Sequence, residues 1–291
     1  QLNTAGGNVT ITGNVDSGNS YAAYTDLMTD GKYSAQWEKL LLDYYNATHK
    51  VTVKSLTDTQ KTNLTNQIVH SWDKAKIAAA LGSTGTTGTA VGDKYLATIT
   101  TSLENSLANA TIGGAENELF VGGQQKSDGK FYWVTGTEGA ENNGQGVAFA
   151  EKDGTGINGS YVNWVKGASS QAYGNSTYTE PNGSGKNVAV GWSLASKWDD
   201  VADSAKTLHG FVQETNLENS ALNINAGAGN VTIGGNVGES KALSNFTVTN
   251  NGDVTVGGMA GRGNVTVSDS QGKIGAVEID SLGNVAVGGK I

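Results

Sequence analysis

The 291-residue sequence contains no cysteine, one proline and three histidines. The absence of cysteine excludes disulfide bonds, thiolate catalysis and cysteine-based zinc sites. The three histidines form neither a His-x-His nor a His-Glu-x-x-His pattern, so we do not expect a histidine zinc site. No apolar run is long enough to cross a bilayer, and direct membrane insertion is therefore not expected.

Basic residues are also scarce, since 19 Lys and Arg stand against 27 Asp and Glu, for a formal net charge of −8. No Lys/Arg cluster offsets this charge, so we expect no nucleic-acid partner. An acidic surface suits solubility outside cells and the binding of cations. Glycine is abundant, with 42 residues, but it lacks the three-residue period of collagen.

The single proline, Pro181, lies in the segment Tyr178-Thr179-Glu180-Pro181-Asn182. An X-Pro bond adopts the cis form at modest cost, and a cis bond makes a tight, fixed turn. Such a turn would direct the Glu180 carboxylate and the Asn182 amide oxygen the same way, and two hard oxygen donors form half of a calcium site. The alternative is that Pro181 merely shapes a solvated surface loop.

A second acidic segment, Lys197-Trp198-Asp199-Asp200, follows downstream. Adjacent side chains in a strand point to opposite faces, but at a strand start or bend both carboxylates can reach one ion. Glu180, Asn182, Asp199 and Asp200 would then form an oxygen-only ligand set, which suits Ca²⁺ rather than zinc. An ordinary acidic turn is the alternative explanation.

Glu-Pro-Asn followed by Trp-Asx-Asp resembles the calcium and sugar site of C-type lectin domains. The resemblance covers roughly residues 48–214, and further segments match the family in its order. These segments are Tyr95–Ile99 with Glu104-Asn105, Glu118–Gly123, Phe131–Gly136, Tyr161–Trp164 and His209–Glu214. The resemblance rests on the order of these segments rather than on any one of them.

The resemblance implies a Ca²⁺ ion held by Glu180, Asn182, Asp199 and Asp200. Two vicinal hydroxyls of a hexose would coordinate the ion and hydrogen-bond to the same side chains, with Glu180, Asn182 and Asp199 as the sugar-binding residues. In that family, Glu-Pro-Asn occurs in domains that bind mannose-type sugars. The resemblance therefore implies mannose, glucose, N-acetylglucosamine or fucose as the ligand. Tyr178 and Trp192 are candidates for packing on a sugar face, and each fits a core position equally well.

The sequence departs from the family in two ways. The family usually has two disulfides, and this chain has no cysteine. A further carboxylate ligand often follows Glu-Pro-Asn, and the residues nearest that place are Lys186 and Asn187. A lysine there would oppose the cation, whereas Asn187 would supply a neutral oxygen and a lower expected affinity.

A repeated phrase flanks the lectin-like region. It occurs at 7–15, 229–237, 252–258, 263–267 and 283–289, as β-branched residues bounded by Gly-Asn or Gly-Asp. Its period of roughly 20 residues predicts a right-handed parallel β-helix. The competing prediction is an antiparallel sandwich with hairpins, because Asn251-Gly252 is a strong hairpin signal.

These patterns predict an α+β C-type-lectin-like domain inserted in an all-β solenoid. The predicted boundaries are a β-helix rung at 1–20, the lectin-like domain with an extra N-terminal helical segment at 21–216, and β-helix rungs at 217–291. The repeats resemble the stalks of bacterial filamentous-haemagglutinin-type exoproteins, exported by two-partner secretion or as autotransporters. That resemblance implies a secreted or surface-exposed bacterial adhesin. Because residue 1 falls within a repeat-like pattern, we expect a monomeric fragment of a longer chain.

Helices are predicted at four places. Ser34 caps a helix over 34–47, for which the sequence suggests no role beyond covering a sheet edge. Thr57 starts a second helix, Ser71 caps a third that ends at Gly82, and Thr101 or Ser102 caps a fourth that runs to Ala110.

The expected partner is a glycan on a host cell or a neighbouring microbe, and no enzymatic activity is expected. The alternative function is a metal-free protein-binding or structural lectin-like module on a surface stalk, which Lys186 favours. A glycosidase would need paired carboxylates such as Glu138, Glu141, Glu151 and Asp153, but their spacing does not distinguish them from a solvated loop.

Overall fold

A computed structural model describes residues 2–3, 8–11, 19–83, 93–112, 117–169, 177–192, 197–216, 221–227, 230–237, 245–250, 254–261, 264–273, 279–281 and 285–290. The chain divides into two compact units. One comprises residues 1–19 and 216–291, and the other comprises residues 20–215.

The helices are α1 (Ala35–His49), α2 (Asp58–Val69), α3 (Trp72–Ala79), α4 (Ser102–Thr111) and α5 (Gly136–Gly144), with a 3₁₀ turn at Ile157–Gly159. The first strands are β1 (Leu2–Asn3), β2 (Val9–Ile11), β3 (Asn19–Thr25), β4 (Met28–Thr29), β5 (Lys32–Tyr33), β6 (Lys94–Leu96) and β7 (Glu118–Gln125). The next are β8 (Phe131–Trp133), β9 (Val147–Ala150), β10 (Lys166–Ser169), β11 (Thr177–Thr179), β12 (Asn187–Trp192), β13 (Lys197–Val201) and β14 (Leu208–Asn216). The last are β15 (Ala221–Gly227), β16 (Val231–Val237), β17 (Asn245–Asn250), β18 (Val254–Gly261), β19 (Asn264–Lys273), β20 (Ile279–Ser281) and β21 (Val285–Lys290).

The unit of residues 20–215 is built on a mixed sheet in the order β13-β12-β7-β14-β3. Strands β7 and β14 pair in parallel, whereas β12 pairs antiparallel with both β7 and β13. Strand β6 pairs with β14, and β8 joins β7 to β9. This order places β13, which carries Asp199 and Asp200, at one edge of the main path.

The helix starts follow the capping signals in the sequence. Ser34, Thr57, Ser71 and Thr101 each accept a backbone N–H of the first turn through the side-chain oxygen. Thr57 and Thr101 also form full capping boxes, with Gln60 and Glu104 as partners. The four predicted helices are therefore confirmed.

Two hydrophobic clusters cover the opposite faces of this sheet, because side chains alternate along each strand. On β7, Phe120 belongs to one cluster, while Leu119 and Val121 belong to the other. The first cluster takes Trp37, Leu40, Leu41 and Tyr44 from α1, with further residues of α2 and α3. The α1 helix therefore forms part of the core, a larger role than the edge covering considered from the sequence. The second cluster is rich in aromatic rings, with Phe131, Trp133, Phe149, Trp164 and Trp198.

The repeat phrases form two parallel sheets in the other unit, in the orders β1-β15-β17-β19-β21 and β2-β16-β18-β20. Equivalent residues pair directly, as Val9 with Val231 and Val231 with Val254. The antiparallel alternative is wrong, because the recorded pairs between these strands are parallel.

The prediction of a right-handed parallel β-helix is also wrong. The structure is an α+β mix with several sheets, and none of those formed by the described residues is closed or solenoid-like. The repeated phrase specifies strand segments and a common register, and the observed strand pairing shows both. It does not specify how separate sheets would join into a coil, and the solenoid inference relied on the repeat period for that step.

Candidate metal centre

Strand β13 is anchored from both sides by Trp198. Its indole Nε1 donates to Asn105 Oδ1 of α4 at 2.8 Å, and its ring packs edge-on against Trp133, Phe149 and Trp164. Its backbone N–H donates to the Asn163 carbonyl at 3.0 Å, and its carbonyl accepts from Val165 N at 3.1 Å. The segment at 163–165 is therefore fastened to the strand that presents Asp199 and Asp200.

The same segment fixes the position of Glu180. The Glu180 backbone N–H donates to the Val165 carbonyl at 2.8 Å. The Glu180–Pro181 peptide bond is cis, which is one of the two possibilities that the sequence left open. Gly154 lies against the proline ring, and a Cβ at that position would be 2.5 Å from Pro181 Cδ. These contacts bring the Glu180 side chain beside β13.

Three carboxylates meet at this place. Glu180, Asp199 and Asp200 each offer one oxygen, and these atoms all lie within 4.8 Å of one another. The side chains are buried, with exposures of 1 %, 8 % and 0 %. Three buried acidic groups this close together require protons, hydrogen bonds or a cation to offset their repulsion and desolvation.

The Asp200 carboxylate obtains hydrogen bonds from the loop after Pro181. Oδ1 accepts from Asn182 N at 2.7 Å, and Oδ2 accepts from Gly183 N at 2.9 Å and Gly185 N at 3.3 Å. The Ser184 hydroxyl donates to the Asp200 carbonyl. The Asp200 side chain therefore organises the loop by accepting its backbone N–H groups.

The other two carboxylates are less well satisfied. Glu180 Oε2 and Asp199 Oδ1 are buried and have no hydrogen-bond partner within the described part of the chain. Buried polar atoms nearly always have a partner, so an unpaired carboxylate oxygen indicates a missing ligand or proton. Both atoms belong to the cluster, and they are the positions that a bound cation would satisfy.

The pKa shifts of Glu180 and Asp199 agree with the lack of hydrogen-bond partners for their oxygens. Burial, with hydrogen bonding and repulsion from Asp200, raises the pKa of Glu180 to about 7. Burial, together with the negative charges of Glu118 and Glu180, raises the pKa of Asp199 to about 10. In the absence of a cation, folding therefore favours the protonated forms of these two groups.

The amides of the remaining predicted ligands, Asn182 and Asn187, have hydrogen-bond partners of their own. Asn182 is exposed; its Nδ2 donates to Glu180 Oε1 at 3.0 Å, and its Oδ1 accepts from Ser184 N at 2.7 Å. Asn187 is buried, and its amide bonds to Gln124 at 2.8 Å and to Asp203 at 2.9 Å. The structure thus brings Glu180, Asp199 and Asp200 together. Asn182 lies beside Glu180 but presents its amide nitrogen to it, and Asn187 bonds to residues outside the cluster. Lys186 is exposed.

The two aromatic candidates give less information. Tyr178 is half-buried on β11, where it pairs with Ala168 of β10. Trp192 ends β12, opposite Lys197, and its side chain lies outside the described residues.

Sequence reasoning missed Glu118. This carboxylate is fully buried at the start of β7, accepts from the Thr207 hydroxyl through Oε2, and leaves Oε1 unpaired among the described atoms. Phe120, Ala189 and Asp199 stand in register on three adjacent strands, so Glu118 shares their face of the sheet. The available signal was a charged residue directly before the apolar run Leu119-Phe120-Val121.

Three of the four carboxylates considered for a glycosidase have other contacts. Glu138 accepts from the Thr98 and Thr137 hydroxyls, Glu151 pairs with Lys130 at 3.0 Å, and Asp153 accepts from Thr155 N at 2.9 Å.

No protein-family model matches the sequence, and no curated protein matches it significantly. Within the described residues, no helix is both long and apolar enough to cross a membrane.

Proposed function

We propose that this chain is part of a bacterial cell-surface adhesin that binds carbohydrate through a Ca²⁺ site at Glu180, Asp199 and Asp200. The observation that carries the proposal is the buried carboxylate cluster, in which two oxygens have no described partner. An oxygen-only set with three formal negative charges suits a hard divalent cation.

The residues present fit such an ion. Glu180 Oε2 and Asp199 Oδ1 are unpaired acceptors, and Asp200 lies at the same point with its loop already ordered. Calcium takes six to eight oxygen ligands, so positions beyond the carboxylates remain for sugar hydroxyls and water. When bound, the ion would supply direct coordination of two vicinal hydroxyls of a hexose.

The chain's own residues would position the sugar. Glu180 and Asp199 would accept hydrogen bonds from the coordinated hydroxyls through oxygens not used by the ion. Asn182 is exposed next to Glu180, where its amide is placed to meet ligand from the solvent side. Glu-Pro-Asn supports a mannose, glucose, N-acetylglucosamine or fucose ligand through the family resemblance. Single-site affinity of this kind is low, and several copies on one surface would raise it through avidity.

The secreted, surface-exposed location and the glycan partner on a host cell or neighbouring microbe belong to the same proposal. They are supported by the absence of cysteine, the acidic composition and the likeness of the repeat phrases to bacterial exoprotein stalks.

A second candidate function is a metal-free protein-binding or structural module. The hydrogen bonds to Asp200 favour it, because the loop is ordered by backbone N–H donors without an ion. Protonation of Glu180 and Asp199 would then relieve the repulsion within the cluster.

Thermal unfolding with calcium and with EDTA separates the two candidates. We expect calcium to raise the melting temperature of the native chain and to have no such effect on Glu180→Gln, which keeps the shape but removes one charge. A glycan array with mannose-class sugars should then show binding that EDTA abolishes.

Glu141→Gln is the matched control, since Glu141 is exposed and lies outside the cluster. It should keep the full response to calcium. Coincident melting curves for the native chain with calcium and with EDTA would contradict the calcium site and favour the metal-free module.

A further inference from the structure

A cavity of about 520 Å³ lies between α3 and α5, across strand β6, within the unit of residues 20–215. Its size falls within the range of small-molecule sites. It shares no lining residue with the carboxylate cluster. Any ligand of this cavity would therefore bind apart from the proposed calcium site.

Small residues keep the cavity open. Ala80 is the C-cap of α3, Ala140 lies on α5, and Gly136 begins α5. Gly136 has a φ of +65°, and a Cβ there would meet the Tyr95 ring at 2.5 Å. The Tyr95 ring and Val134 also line the cavity. We call the apolar surface that they form the floor of the cavity.

Most polar groups of the lining already have partners inside the protein. The Tyr95 hydroxyl donates to Glu214 at 3.1 Å, the Thr135 hydroxyl donates to the Leu96 carbonyl at 2.7 Å, and the Ser83 hydroxyl donates to Asp93 at 2.7 Å. These bonds tie the walls together and leave few donors for a ligand.

Two ammonium groups remain, those of Lys76 and Lys94. Neither makes an ion pair with any residue that the structure describes. Lys76 is exposed and lies over the Trp72 ring, with Nζ 5.5 Å from its centroid. No acidic residue belongs to the described lining. The carboxylates of Asp93 and Glu214 accept hydrogen bonds from the Ser83 and Tyr95 hydroxyls, and the charge of Glu138 on α5 also acts on Tyr95. Two lysines without ion-pair partners on one cavity are notable in a chain of net charge −8.

We propose that this cavity binds a small organic anion. The two lysines would hold its carboxylate, sulfate or phosphate group, and the Tyr95 and Val134 floor would cover its apolar body. Ammonium groups bind such anions by charge-assisted hydrogen bonds, and the apolar floor adds affinity for a body of about the size of one sugar ring. The ligand class is an acidic monosaccharide or a molecule of similar size and charge, and binding is independent of calcium.

The test is titration calorimetry of the full chain in EDTA, with D-glucuronate and N-acetylneuraminate as probes. Glucose is the neutral probe, and inorganic phosphate is the anion without an organic body. We expect the acidic sugars to bind at millimolar or lower concentration, phosphate to bind at least about tenfold more weakly, and glucose to show no binding.

Lys76→Met with Lys94→Met should weaken acidic-sugar binding at least about tenfold while leaving the melting temperature nearly unchanged. Ala140→Leu, which fills the cavity and keeps both charges, should also abolish binding. Lys74→Met is the matched control, because Lys74 lies on α3, bonds to Gln67 at 2.6 Å and does not line the cavity.

Equal binding by the double lysine variant and the native chain would overturn the proposal, as would no binding of either acidic sugar. Binding of phosphate as strong as that of the acidic sugars would overturn the organic-body part. Because the titrations are made in EDTA, this result does not depend on whether calcium binds at the carboxylate cluster.

Discussion

The three clustered carboxylates have different hydrogen-bonding states, although they lie within 4.8 Å of one another. Asp200 accepts several backbone N–H groups, whereas Glu180 and Asp199 each retain an oxygen without a partner among the described atoms. Removing a charge therefore has opposite consequences at the two kinds of position. At Asp200 it removes an acceptor that orders a loop, and at Asp199 it removes the cost of protonating a buried carboxylate on folding.

Asp200→Asn should lower the free energy of unfolding by about 2–4 kcal/mol, since hydrogen bonds to a charged group are strong and the amide would present an NH₂ to loop N–H donors. Asp199→Asn should leave the metal-free protein as stable as the native chain or more stable. Urea unfolding in EDTA measures both. A similar loss for the two variants would contradict this assignment of roles.

The raised pKa values predict how the stability of the metal-free protein depends on pH. The pKa of Glu180 is about 7 in the folded protein and near 4.5 in the unfolded chain, and that of Asp199 is about 10 instead of 3.8. Between those limits the folded state binds more protons than the unfolded state, so stability falls as pH rises. In EDTA, the melting temperature should therefore decline by about 10–20 °C from pH 5 to pH 8.

Glu180→Gln supplies the control for this pH dependence, because it removes the group that titrates between pH 4.5 and 7. The difference in melting temperature between native chain and variant should change across that window and level off above it. Calcium competes with the protons, so the gap between the calcium and EDTA curves of the native chain should widen with pH. A native-chain curve in EDTA that runs parallel to that of the variant would count against the raised pKa.

At the scale of elements, the site depends on a turn that precedes it in the sequence by nearly thirty residues. Gly154 has a φ of +82°, and its Cα lies so close to the Pro181 ring and to Trp164 that a Cβ would be 2.5 Å from Pro181 Cδ and 2.9 Å from Trp164 Cδ1. Neither ring can move away from a Cβ at position 154, because the segment that positions Glu180 holds both rings in place.

Gly154→Ala should therefore destabilise the chain by about 2–4 kcal/mol, as the left-handed backbone cost and an overpacking cost add. It should also weaken the response to calcium. Gly159→Ala is the matched control: its φ is +79°, but a Cβ there would have nothing within 4 Å. It should cost only about 1–2 kcal/mol. Denaturant unfolding of the two variants measures the difference, and equal losses would mean that packing on Pro181 is unimportant.

Local sequence signals predicted the helices well and the arrangement of sheets poorly. The caps at Ser34, Thr57, Ser71 and Thr101 act over a few residues, so a linear pattern contains all that is needed. The β-helix failed because a repeat phrase constrains strands and register without specifying how separate sheets join.

The site was predictable where its residues are adjacent in sequence and unpredictable where the fold joins them. Glu180 with Pro181, and Asp199 with Asp200, are visible as pairs. The Asn187 amide bonds to Gln124 and Asp203 because strand pairing and a loop bring these residues together. No local sequence pattern specifies those contacts. Glu118 was missed for the same reason, since it joins the face of Asp199 only through β12.

At the scale of the whole molecule, the core and the candidate site belong to one unit. Every residue of the two hydrophobic clusters falls between Tyr21 and Val212, and the carboxylate cluster lies within the same limits. A chain of that length is well within the range in which a single core supports independent folding.

A fragment of residues 20–215 should therefore unfold in one cooperative transition and keep the calcium response of the full chain to within about 2 °C. The full chain should add a second transition from the repeat-containing unit, whose stability does not depend on calcium. Calorimetry of both proteins, with Glu180→Gln introduced in each, measures this. A fragment that melts without cooperativity would show that residues 1–19 and 216–291 contribute to folding of the site. A calcium shift confined to the full chain, with a cooperative fragment, would place a necessary ligand outside residues 20–215.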